Sequence, residues 1–237
     1  MTELLFMGHP KLTATRANVL RSGPEGIVLD RTVFYARAGG QPGDVGILSW
    51  DGGETPIADT RKGESGDVLH LPEPTATLPP EGAIVEAALD WARRYRHMRM
   101  HTTLHLLCSL MPGAAVTGGQ IGADRSRLDF DLPDPPARDE LEARLNALIA
   151  EDHPVGWEWV DENVLDESPD LVRTLSVKPP RGTGRLRLVR IGTAEHTIDL
   201  QPCGGTHVAR TGEIGQAEIV KIENKGRQNR RIVVMLK

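Results

Sequence analysis

The feature that most restricts the fold is a pair of motifs about a hundred residues apart. The first, His101-Thr102-Thr103-Leu104-His105, lies in a run over 91–110 that holds no glycine or proline. Leu104, Leu107 and Leu110 recur there at helical spacing, and Pro112-Gly113 supplies a stop. Residues four apart share a helical face, so both imidazoles can point at one ion. The second motif is Cys203-Gly204-Gly205-Thr206-His207, whose two glycines permit a tight turn that brings a thiolate and an imidazole to one point. If both motifs serve one site, the fold must carry that turn back onto the helix face. Three imidazoles and a thiolate suit zinc, a borderline-soft ion with tetrahedral nitrogen and sulfur coordination. His101, His105, Cys203 and His207 are therefore the predicted ligands.

Neighbouring residues are read differently. His97 shares the stripe but lies eight residues from His105, about 12 Å along a helix axis, too far for the same coordination sphere. With Arg96 and Arg99 beside it, His97 reads as a surface or RNA-facing residue, or as neither. Cys108 sits among apolar residues and reads as a small buried hydrophobe. A helical HExxH metalloprotease would need glutamate where Thr102 stands, which excludes that chemistry.

With 237 residues, 39% of them hydrophobic, the chain has room for one large domain or two ordinary ones. Glycine and proline concentrate in the first ninety residues and around 179–184, which favours two domains, 1–90 and 91–237. In the first, short apolar stretches at 26–29, 45–50 and 83–89 alternate with turn-rich segments, the texture of a small β-barrel. The second combines the 91–110 helix, another at 137–151 with Leu141, Leu145, Leu148 and Ile149 on one face, and strands at 126–131, 155–160, 185–191, 195–200, 214–222 and 230–236. The fold class is thus α+β, a barrel followed by a mixed α/β domain.

A net charge of −5 excludes a protein that coats nucleic acid indiscriminately, because such binding needs many cations on phosphates. Two local clusters remain: Arg93, Arg94, Arg96 and Arg99, and at the C-terminus Lys221, Lys225, Arg227, Arg230, Arg231 and Lys237. Each reads either as an RNA contact or as a solvated charged face. Two cysteines, no signal-like N-terminus and no apolar run of about 18 residues point to a cytoplasmic protein that does not enter a membrane.

The motif pair, in order and with its surroundings, resembles the AlaX family of free-standing alanyl-tRNA editing proteins and the editing domain of alanyl-tRNA synthetase. The surroundings are the run from Arg94 to His105, Gly119-Gln120-Ile121-Gly122 leading to Asp129-Phe130-Asp131, and Ile198-Asp199-Leu200-Gln201-Pro202-Cys203. Gly39-Gly40-Gln41-Pro42-Gly43-Asp44-Val45-Gly46 is similar to the glycine-rich motif of members with an N-terminal barrel, with Ala38 and Ala36 where the family has glycine and proline. The resemblance implies an editing domain over 91–237 that hydrolyses tRNA(Ala) mischarged with serine, and also glycine. The chain is too short for an adenylating domain as well, so no ligase activity is expected. By family position Gln120 would contact polar groups of the substrate, or else be a loop glutamine. Asp199 would orient a zinc-bound histidine, or else be an ordinary strand-end carboxylate. The segment 39–46 would touch RNA backbone or form a barrel turn. A non-catalytic, zinc-stabilised module that binds tRNA or a synthetase is the alternative.

Overall fold

A barrel requires strands that alternate inward and outward residues, joined by short reversals. The first ninety residues meet both demands in the computed structural model, which describes residues 1–175, 182 and 184–237. The strands are β1 (Glu3–Leu4), β2 (Ala14–Arg21), β3 (Ile27–Leu29), β4 (Arg31–Thr32), β5 (Gly46–Trp50), β6 (Gly53–Lys62), β7 (Val68–Pro72) and β8 (Ile84–Leu89). Six of them close in the order β2-β3-β7-β6-β5-β8, each pair antiparallel. Alternation is plain in β2, where Ala17 and Val19 face the core and Arg16, Asn18 and Leu20 do not. Ile27, Leu29, Phe34, Leu48 and Val85 complete that interior.

A titratable side chain is also buried here, against Phe34. His70 is fully buried. Its Nδ1–H donates to the Ile27 carbonyl at 3.0 Å, and its Nε2 accepts from the Thr32 hydroxyl at 2.7 Å, whose oxygen accepts the Phe34 amide. Burial pushes its pKa from 6.5 down to about 4, outweighing the Ile27 bond. Because the folded pKa is the lower one, the unfolded chain takes up this proton first, and stability falls as pH drops from 6.5 to 4. At about 1.4 kcal/mol per unit the loss reaches about 3 kcal/mol. Urea midpoints at pH 7 and pH 4.5 are expected to diverge far more in the natural chain than in His70→Gln; equal divergence would remove His70 as the cause.

The segment 39–46 is a barrel turn. Ala38 and Gln41 bond reciprocally through their backbones around Gly39 and Gly40, both at positive φ, while Ala38 itself is not at positive φ and so tolerates a side chain. Asp44 then turns inward, 1% exposed, and accepts the Tyr35 amide at 2.7 Å. Its partner is Arg94, itself fully buried, whose Nε lies 2.9 Å from Asp44 Oδ2 and whose remaining nitrogens donate to the Val33 and Pro10 carbonyls. The RNA-contact reading of Arg94 is therefore corrected: a buried carboxylate requires a buried cation. Arg96 does face solvent, near Asp124. His97, only 2% exposed, is neither a surface nor an RNA-facing residue, which agrees with the last of its three readings.

The chain forms two compact units, Met1–Tyr95 and Arg96–Lys237. Helix α1 (Trp91–Ser109) begins in the first and ends in the second. The second unit continues with β9 (Ala115–Gln120), β10 (Arg125–Asp131), α2 (Arg138–Ala150), β11 (Val155–Asp161), α3 (Val164–Glu167), β12 (Arg185–Gly192), β13 (Thr197–Pro202), β14 (Ala217–Asn224) and β15 (Asn229–Leu236). Two antiparallel sheets result, ordered β14-β15-β10-β9 and β11-β12-β13. Leu141, Leu145 and Ile149 bury one face of α2, and Asn146 pins the helix to β14 by exchanging hydrogen bonds with the Ala217 backbone.

Two strands begin later than their sequence signal. The 195–200 strand starts at Thr197 because Thr193 and His196 close a turn. The 214–222 strand starts at Ala217 because Thr211–Ile214 forms a 3-10 turn that ends at Gly215, at φ 82°. The C-terminal basic cluster is partly neutralised internally, Arg231 by Asp129 and Lys221 by Glu223. Most of the glycine- and proline-rich stretch at 179–184 lies outside the described residues. Among the described residues, no helix is long and apolar enough to cross a membrane.

Candidate metal centre

From Met100 to Cys108 every residue of α1 is buried, so its polar side chains must find partners within the protein. Thr103 donates its hydroxyl to the Arg99 carbonyl and Thr102 to the Met98 carbonyl. Two polar groups are then left on the inner face, the rings of His101 and His105. Opposite them, β13 runs into Cys203, whose amide bonds the Arg187 carbonyl at 3.1 Å. The Arg187 guanidinium donates to the carbonyls of Cys203 (2.8 Å) and Gly205 (3.0 Å), fixing the turn from within. Neither Gly204 nor Gly205 takes a positive φ, so arginine rather than glycine freedom holds this turn. A Cβ at Gly204 would meet nothing within 4 Å, so the turn has open space at its tip.

The motifs meet as their spacing predicts. One donor atom from each of His101, His105, Cys203 and His207 lies within 4.8 Å of all the others, a group that could hold a metal ion. Cys203 Sγ is 3.6 Å from His101 Nε2 and 3.4 Å from His207 Nε2. A tetrahedral zinc with ordinary bond lengths would set each sulfur–nitrogen edge at about 3.5 Å. The donor set and its spacing therefore fit that ion.

The hydrogen bonds behind the rings decide which nitrogen each presents. The Thr102 hydroxyl gives its proton to Met98, so its oxygen must accept from His207 Nδ1–H, 3.1 Å away, which leaves the His207 Nε2 lone pair facing the cluster. His105 Nδ1–H donates to Asp199 Oδ2 at 2.9 Å, with the same outcome for its Nε2. Gln201, two residues along β13 and on the same face, donates to that carboxylate oxygen at 2.8 Å and holds it in place.

Charge follows the same plan. Burial works against the Cys203 thiolate, yet the His101 ring foremost draws its pKa well below the ordinary thiol value. Burial foremost, then repulsion from His101, keeps His207 neutral with its pKa well below 6.5. Burial also opposes charge on His105, but the bond to Asp199 and the nearby Cys203 outweigh it and raise the pKa to about 10. Thiolate and carboxylate together thus favour a positive charge at the centre, whether proton or metal. Cys108 is pushed up to about 12 by burial and stays an inert thiol, as its apolar setting predicts.

Gln120 stands apart from these contacts. It is exposed at the end of β9, its Oε1 3.4 Å from Arg127 Nε. Sequence reasoning missed Gln201, though the period-2 spacing from Asp199 was a usable signal, and Arg187, whose role depends on a strand register that no local pattern reveals.

Comparison with known proteins gives matches at both ends. Residues 186–233 match the threonyl and alanyl tRNA synthetase second additional domain, and residues 3–93 match the class II (A) tRNA synthetases. The alanyl-tRNA editing protein AlaX-M of Methanosarcina acetivorans is 38% identical over 100% of this chain and 99% of its own. AlaX-M of Saccharolobus solfataricus is 31% identical, with both chains covered completely. The alanine–tRNA ligase of Pyrobaculum arsenaticum is 36% identical over 94% of this chain, which spans 25% of that enzyme.

Proposed function

The chain belongs to the AlaX family of alanyl-tRNA editing proteins, and from that we propose a free-standing hydrolase that clears serine, and also glycine, from mischarged tRNA(Ala) by zinc-dependent cleavage of the aminoacyl ester. The observation that carries this reading is the match to AlaX-M proteins along the whole chain. The need for such an enzyme is physical: a small apolar alanine pocket rejects a ligand with one added hydroxyl poorly, so a second hydrolytic sieve is required. We assign residues 1–90 to a barrel domain and 91–237 to the editing domain. The cytosol, where charged tRNA is used, is the place for this activity.

In the reaction, water adds to the ester carbonyl, the bond to the terminal ribose oxygen breaks, and free amino acid and uncharged tRNA leave. His101, His105, Cys203 and His207 would hold zinc, which, with one of the four released or the coordination expanded, would either lower the pKa of a bound water or hold the substrate's amino group. Asp199 and Thr102 act as positioning residues, locking His105 and His207 with Nε2 inward. Cys203 is the least buried of the four donors and borders the open space at Gly204, so substrate enters on its side. Gln120, by its position in the family's motif, is assigned to contact polar groups of the substrate.

The test is release of radiolabelled serine and alanine from the two charged forms of tRNA(Ala), by the natural chain and by Cys203→Ala with folding and zinc content checked in parallel. Serine should be released at least about 100-fold faster than alanine, and the variant should lose most of that rate. No release above buffer from folded, zinc-loaded protein would overturn the hydrolase and favour a binding module.

A further inference from the structure

Two large aromatic side chains are exposed among the described residues, Trp157 (38%) and Trp159 (40%), both on β11. Tryptophan at an edge strand costs apolar burial, and here the two lie two residues apart and so on one face of the sheet. The opposite face is covered: Leu186 and Leu188 pack there with Leu165, Val160 and Leu200.

The tryptophan face is also the face of the metal centre. Strand register places Trp157 beside Val189 and Val189 beside Gln201, while Ile191 pairs with Asp199 in the next row. Trp159 pairs with Arg187, whose carbonyl accepts the Cys203 amide. The Arg187 guanidinium lies 5.4 Å from the Trp157 ring centre while donating to the Cys203 and Gly205 carbonyls. From β11 to β13 is two strand spacings, about 10 Å, the scale of a nucleotide. A cation that braces the ligand turn on one side and backs an exposed indole on the other joins platform and centre into one surface.

We propose that Trp157 and Trp159 form a stacking platform for the unpaired bases at the 3′ end of the tRNA whose ester enters the centre. This rests on the reading given under Proposed function and adds the surface that seats the substrate's end. Every base offers a π-face, and unpaired bases are held by stacking on aromatic rings backed by arginine. An aliphatic partner would be served equally by leucine or isoleucine, whereas the residues displayed here are two indoles. The single-stranded end is the part of tRNA that must lie against this face when its terminal ester reaches Cys203.

The test needs no hydrolysis. An uncharged RNA hairpin ending in single-stranded ACCA and the same hairpin lacking it are titrated into zinc-loaded protein, with tryptophan fluorescence and anisotropy as readouts. The tailed hairpin should quench tryptophan emission, and Trp157→Ala/Trp159→Ala should bind it about 10-fold more weakly while binding the blunt hairpin unchanged. Trp157→Phe/Trp159→Phe should restore affinity to within about two-fold, which a loss of fold would not allow. For seryl-tRNA(Ala) the alanine variant should raise KM about 10-fold with kcat nearly intact. If the double alanine variant does not fold, Trp159→Ala alone carries the comparison. Equal affinity of the natural chain and variant for the tailed hairpin overturns the platform, as does conversion of a dimer to a monomer by the variant, which would assign the face to a second copy. Serine release with unchanged hairpin affinities sinks the platform alone; the predicted affinities without any serine release sink the hydrolase alone.

Discussion

Replacing Arg94 by alanine is expected to cost about 3–5 kcal/mol of stability, the range for removing one partner of a buried ion pair. Asp44 is 1% exposed and would keep the Tyr35 amide while losing its countercharge, and the Val33 and Pro10 carbonyls would lose their donors. A shortfall of that size comes from the stranded carboxylate more than from the lost attraction, so Arg94→Ala/Asp44→Leu should recover part of it. Arg94→Lys should recover little, because an ammonium cannot reproduce the several directed bonds of the guanidinium. Urea unfolding at pH 7 measures all three. A cost below about 1 kcal/mol, the level of an exposed pair, would contradict the burial of this interaction. The affinity of the folded fraction for tRNA should not change, which separates this arginine from one that touches phosphate.

Arg94 also marks where sequence stops being legible. Its charge, its helix and its basic neighbours are all local facts, and they suggest an RNA-facing cluster equally well. What decides its role is Asp44, 50 residues away in the chain and brought alongside only by barrel closure. Arg187 is a similar case, since its role depends on which residues the neighbouring strands place opposite. The ligand set was legible for the opposite reason: His101 and His105 share a helix face, Cys203 and His207 share a turn, and the chemistry of the donors says that the halves belong together. Helix α1 followed from the absence of glycine and proline, and α2 from Leu141, Leu145 and Ile149 at fourfold spacing. Strand β9 was not foreseen, because Gly118 and Gly119 have low strand propensity and enter the sheet through pairing with β10. Local pattern yields elements and donor chemistry; partners fixed by register or closure do not show in it.

Asp199→Ala is expected to weaken zinc affinity by about 10–100-fold, the range seen when a carboxylate behind a ligating histidine is removed. The carboxylate accepts His105 Nδ1–H and so keeps the lone pair on Nε2, toward Cys203. Without it, the neutral ring is free to carry its proton on Nε2, and part of the population would present N–H where the ion must sit. The carboxylate's negative charge also raises the basicity of the ring, after the larger contributions of the hydrogen bond itself and of Cys203. Asp199→Asn separates the two contributions. An amide oxygen can still accept from Nδ1–H, held by Gln201 as the carboxylate is, but it brings no charge. Its affinity should fall between the natural chain and the alanine variant. Competition with a chromogenic zinc chelator, starting from metal-free protein whose fold is verified, gives the three constants directly. If Asp199→Ala changes zinc affinity by less than about two-fold, the hydrogen bond behind His105 contributes nothing to metal binding, and Asp199 is an ordinary strand-end carboxylate.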